Sequence, residues 1–171
     1  MKNRTANTTG GDMCCRTTSL PPHRIKDTMT DQTIELTIPS HPRFLQLVRG
    51  VMKKVAGILA IPRDQTDYLI LAVDEASSNI IRHSYREDPD HRIDFSITLG
   101  EGLLDISITD YGAACNPARF PQRDPAEIKP GGLGLYIIDQ VMDHVDYTCG
   151  ENGRNTIRMT KHITRDTRPA S

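Results

Sequence analysis

The chain has no tryptophan, only 3 phenylalanines and an aromatic share of 5%. Nucleic-acid modules that stack bases on aromatic platforms have little to build with here. Neither sign of charge dominates: Lys+Arg 21 against Asp+Glu 22 leaves a formal net charge of -1. Without a basic excess or stripe, no direct binding of DNA, RNA or an anionic membrane surface is expected. No apolar run approaches the ~18 residues of a membrane span, and the polar start lacks the basic-then-apolar order of a secretory signal. A cytoplasmic location is the expectation. Cys14, Cys15, Cys115 and Cys149 match neither a zinc-ligand spacing nor Cys-x-x-Cys, so reduced, incidental thiols are expected. The six histidines form no paired-ligand motif, so a metal should arrive with a ligand.

The 171 residues suffice for one domain with its own core. Residues 1–30 are rich in Thr, Asn, Gly, Arg and Pro without apolar periodicity and read as a flexible leader. The domain is expected over 31–165, with a tail at 166–171. TIELTI at 33–38 alternates as a half-buried strand does and ends at Pro39. Phe44, Val48, Val51, Val55 and Ile58 form a helical stripe, and Pro62 suits the first turn of a second helix running to about Ser84. Ile93, Phe95, Ile97 and Leu99, then Leu104, Ile106 and Ile108, alternate around a Gly100–Gly102 turn and predict an antiparallel hairpin. The proline-bearing stretch at 113–130 reads as a long connection, of the kind that serves as a lid or stays disordered. A helix at 131–142 and strands at 145–149 and 156–163 complete the chain. Strands and helices do not alternate, which excludes a doubly wound parallel sheet. The expected class is α+β: a two-layer α/β sandwich of one mixed, mostly antiparallel sheet with helices on one face.

Three segments carry chemistry. Glu75 and Asn79 lie one turn apart beside the buried stripe of Leu69, Val73, Ala76 and Ile80. An amide oxygen suits a hard cation and a carboxylate can take a proton from a hydroxyl, although such a pair is also what a solvated helix shoulder carries. Asp110 ends the Leu104–Ile106–Ile108 series, so period two turns its carboxylate to the core side, where it needs a donor. Gly112 would let a flat ligand approach, and an adenine amino group could be that donor; a turn through Tyr111 and Gly112 is the plain alternative. Pro130-Gly131-Gly132-Leu133-Gly134-Leu135 leads into an apolar helix whose first amides could hold phosphate, or it is a hinge. It is neither a Walker loop nor a dinucleotide fingerprint.

In this order the segments resemble the N, G1 and G2 boxes of the GHKL ATPase superfamily. AVDEASSNIIRHSY, DYGAACNP and GGLGLYIID are most similar to those of the anti-sigma-factor serine kinases, over about residues 33–163. The resemblance implies ATP and Mg2+ as cofactors, with Glu75 as catalytic base and Asn79 as the magnesium ligand. Asp110 and Gly112 would take the adenine side, and Gly132, Leu133 and Gly134 the phosphates. Thr156 would sit near the adenine and its bound water. Arg49 matches a partner-facing arginine, though a solvated arginine is the plain alternative.

Implied partners are a STAS-type anti-sigma-factor antagonist, phosphorylated on serine, and a sigma factor; a homodimer is implied too. A second G1 glycine common in the superfamily is replaced near Ala114, as in the shortened boxes of this subfamily. No dimerisation helix pair with a phospho-accepting histidine fits in the leader, so histidine autophosphorylation is not expected. The rival is a non-catalytic nucleotide-gated module that sequesters a protein partner without transferring phosphate.

Overall fold

A computed structural model describes residues 31–112, 133–150 and 153–163. The leader, the 113–130 connection and the tail therefore lie outside the described residues. Five strands, β1 (Gln32–Pro39), β2 (Arg92–Gly100), β3 (Leu103–Asp110), β4 (His144–Cys149) and β5 (Asn155–His162), form one sheet in the order β1-β2-β3-β5-β4. Every described pairing is antiparallel. Three helices, α1 (Leu45–Ile58), α2 (Arg63–Asn79) and α3 (Leu133–Val141), cover one face.

The alternation written in the strands decides which face that is. Ile93, Phe95, Ile97 and Leu99 of β2 and Leu104, Ile106 and Ile108 of β3 are buried, and they share one cluster with Val48, Met52 and Val55 of α1 and Leu69, Val73 and Ala76 of α2. The opposite face is polar: Thr33 meets Thr98, Thr37 donates to Asp94, and Arg158 pairs with Asp105. The expected class and helix layer are thus observed, with the described pairings wholly antiparallel rather than mixed. β3 lies at the centre of the sheet, so a site at its end is fixed by neighbours on both sides.

Two differences from the sequence reading matter. The second helix does not run as a uniform α-helix to Ser84: α2 ends at Asn79 and continues as a π turn, Ile80–Ser84. The amide of Tyr85 accordingly bonds the carbonyl of Ile80, five residues back, at 3.0 Å. Such turns recur at functional sites because the extra residue redirects the side chains that follow. In addition, Cys149 at the end of β4 is disulfide-bonded, which corrects the expectation of a reduced thiol at that position. No other cysteine falls among the described residues; a bridge depends on spatial approach, which sequence spacing does not reveal.

Ile106 is 0% exposed and sits on the central strand. Ile106→Ala should lower stability by about 2–5 kcal/mol, from lost burial plus the cavity left behind, as read by chemical denaturation.

Candidate functional site

α2 buries Leu69, Val73 and Ala76, which leaves Glu75 and Asn79 half-buried on its shoulder. The start of α3 packs on that shoulder. A Cβ placed on Gly134 would lie 2.5 Å from Glu75 Oε2 and 3.6 Å from Asn79 Nδ2, so the absent side chain is what allows the approach. Two of the three expected segments therefore meet. Gly132 lies outside the described residues, as does the side chain of Leu133; only its backbone, as the first residue of α3, is described.

Arg82 joins them from the π turn. Its Nη2 donates to Asn79 Oδ1 at 3.3 Å and lies 3.8 Å from Glu75 Oε2. Arg82 stands three residues after Asn79, and no motif or periodicity in the sequence singles it out.

Asp110 is 5% exposed on the helix-facing side of β3, as period two requires. Its Oδ1 accepts from Ser84 Oγ at 2.5 Å, from the Gly112 amide at 3.0 Å and from Asn155 Nδ2 at 3.0 Å. Oδ2 accepts no bond among the described residues and is not sealed from solvent. The protein thus supplies donors that the sequence reading had looked for in a ligand. The Gly112 bond is also the expected turn, and the two readings coexist. A Cβ on Gly112 would come within 2.8 Å of the Ser84 carbonyl oxygen, so the π turn and the bend after β3 touch through glycine.

Asn155 stands directly across from Asp110, and Thr156 one residue on is across from Thr109. Successive strand residues face opposite ways, so Thr156 points to the other side of the sheet, where its hydroxyl lies 3.0 Å from that of Thr109. The structure does not bring Thr156 to Asp110; Asn155 occupies that position. Alternation in β5 sets the face, since Asn155 is buried with Ile157 and Met159, and register sets which residue stands opposite Asp110.

Tyr85 fixes the rim. Its buried hydroxyl donates to the Arg92 carbonyl at 2.5 Å and accepts from the Tyr111 amide at 2.8 Å, and burial raises its pKa. The Tyr111 hydroxyl in turn donates to Asp94 at 2.7 Å, with the Arg92 guanidinium 4.6 Å above the Tyr111 ring. Arg49 stands apart from these groups, in a two-bond fork with Asp74 of α2 at 2.6 and 2.9 Å. Among the described residues, no cluster of three or more His, Cys, Asp or Glu could hold a metal alone.

The profile of the Histidine kinase-like ATPase domain matches residues 38–161, which include every described group named above. The chain belongs to that family. Among its relatives is the serine-protein kinase RsbW of Halalkalibacterium halodurans, 30% identical over 79% of this chain and 86% of the relative. The same-named protein of Bacillus mycoides is 31% identical over 79% and 88%, and that of Bacillus subtilis 26% over 76% and 85%.

Among solved structures, the RsbU and RsbW domains of a Mycobacterium tuberculosis protein align with a TM-score of 0.60 at 16% identity, over 82% of this chain and 34% of that one. The SiaB-SiaC complex of Pseudomonas aeruginosa aligns at 0.54 and 13%, over 76% and 89%. At these identities the structures speak for the fold, that of a histidine kinase-like ATPase domain.

Tyr85→Phe would leave the Tyr111 amide and the Arg92 carbonyl without their partner. A loss of about 1–3 kcal/mol in thermal or chemical unfolding is expected, with faster amide exchange at Tyr111.

Proposed function

We propose that this protein is an ATP- and Mg2+-dependent serine protein kinase of the anti-sigma type, acting on a STAS-type anti-sigma-factor antagonist. Membership of an ATPase family supports the use of ATP, and relatives at 30% and 31% identity over most of both chains are named serine-protein kinases. The observation that carries the reading is local: the first turn of α3 lies against Glu75 and Asn79 through a glycine, and the turn that continues the same helix brings Ser84 to a buried aspartate whose Oδ2 accepts no bond among the described residues. Apart from a metal, that is what a nucleotide site of this family requires, an acceptor for the base and a side-chain-free cradle for phosphates.

The residues fit the absent groups. Asn79 Oδ1 would coordinate magnesium, a hard cation that keeps oxygen ligands and reaches its site with phosphate. Amides at the start of α3, with Gly132, Leu133 and Gly134, would hold the phosphates, and Asp110 and Gly112 would face the adenine. When bound, ATP with magnesium supplies the phosphoryl group and neutralises its charge. Glu75 orients the partner's serine hydroxyl and accepts its proton at a carboxylate oxygen. Arg82, half-exposed beside Glu75, offers a positive charge to an anion entering the cleft.

No described helix is long and apolar enough to cross a membrane. A cytoplasmic role in transcription regulation, sequestration of a sigma factor and a homodimeric state belong to the same proposal. Arg49 keeps its place as a partner-facing residue within it, held against Asp74 in the isolated chain.

Glu75→Gln should cut serine phosphorylation of a STAS-type antagonist by about 10²- to 10⁴-fold while ATP affinity changes only a few-fold. Asn79→Ala should abolish the gain in ATP affinity that magnesium brings. Phosphoserine measured by mass spectrometry on the antagonist, together with calorimetry, checks both. ATP-dependent capture of the antagonist with no phosphoserine would favour the sequestering module instead.

A further inference from the structure

The three donors on Asp110 come from separate parts of the fold: Ser84 from the π turn, Asn155 from the start of β5, and Gly112 from the bend after β3. All of them address Oδ1. The Gly112 amide and Asn155 Nδ2 can only donate, so Oδ1 acts as an acceptor and the Ser84 hydroxyl turns its hydrogen toward it. A carboxylate on its own rotates broadly about its last torsion. Bonded on one oxygen from three directions, it is held in a single plane, with Oδ2 left as an acceptor that takes no bond among the described residues and is not sealed from solvent.

We propose that Ser84 and Asn155 are positioning residues that set base selectivity, fixing Asp110 so that the site takes a purine bearing a 6-amino group and rejects one bearing a 6-oxo group. The proposal rests on the nucleotide-binding reading above and goes beyond it, since neither residue was assigned a role there. A fixed acceptor gains a charge-assisted bond from an amino group and is repelled by a carbonyl oxygen, and buried sites built for one donor discriminate strongly against its absence. Removing Ser84 Oγ or Asn155 Nδ2 frees a lone pair on Oδ1 and room beside it. The carboxylate can then turn, or a water can enter, and a water can donate to a carbonyl. Selectivity should fall more than adenine affinity itself.

The test is calorimetric titration of the full chain with ATP and with inosine triphosphate, each with magnesium, for wild type, Ser84→Ala, Ser84→Thr and Asn155→Ala. Wild type should prefer ATP by roughly ten- to a hundredfold, the scale of one hydrogen bond to a charged group. Ser84→Ala and Asn155→Ala should each shrink that ratio at least threefold, and Ser84→Thr, which keeps a hydroxyl, should retain it. Ser84→Ala removes one oxygen from a half-buried side chain, so it carries the test even where Asn155→Ala fails to fold. A ratio unchanged in the folded alanine variants, with both nucleotides weakened equally or not at all, overturns the positioning role and leaves the nucleotide site standing. Wild type that binds neither nucleotide overturns the site itself and the inference with it.

Discussion

A carboxylate buried on the apolar face of a sheet is the constraint around which this domain is arranged. Asp110 continues a series of fully buried residues, Leu104, Ile106 and Ile108, and yet carries a charge at 5% exposure. An unpaired charge there would cost several kcal/mol, so donors have to be brought to it. Two of the three come from outside its own strand end. The chain after α2 must bend to deliver Ser84, and β5 must pair in the one register that sets Asn155 opposite. Position 112 must be glycine for the bend and the π turn to touch. The end of β3 therefore stays polar, where continued alternation would have placed another apolar residue.

The features legible in the sequence are those governed by short periods. Alternation in β2 and β3 and the helical stripe of α1 follow from which residues must leave water, and they predict both the elements and the face each one buries. The box resemblance groups Glu75 and Asn79 with Gly134, and in the structure Gly134 lies against both. What escaped the reading depends on other parts of the chain. The π turn continues an apolar pattern, Ile80 and Ile81 after Ala76, that a straight helix would also show, so its extra residue leaves no mark. Thr156 and Asn155 are adjacent; alternation with Ile157 and Met159 puts Asn155 on the core face, but that it stands opposite Asp110 follows from the register of β5 on β3. The disulfide at Cys149 likewise depends on spatial approach.

The two halves of the site are joined by five residues of π turn. Glu75 and Asn79 precede the turn, Arg82 and Ser84 lie within it, and Tyr85 follows. Ser84 and Tyr85 bind the turn to β3 and to the strand beside it, through Asp110, Tyr111 and Arg92. Displacing the turn would move Glu75 and Asn79 on one side and the donor to Asp110 on the other together. That coupling is a property of covalent connection and needs no long-range pathway.

Two arginines at the helix layer show which contacts can yield. Arg49 grips Asp74 with two short bonds from a planar fork, a geometry that holds both side chains in one arrangement. Arg82 has one 3.3 Å bond to a neutral amide and a carboxylate 3.8 Å away, with its side chain 51% exposed. Such an exposed pair is worth about 1 kcal/mol at most and is screened by salt. An incoming polyanion competes for Arg82 at little cost, whereas a group that engages Arg49 must first match or break the fork with Asp74. The asymmetry leaves the cation beside Glu75 free to reorient, while the one on α1 is held in its fork with Asp74.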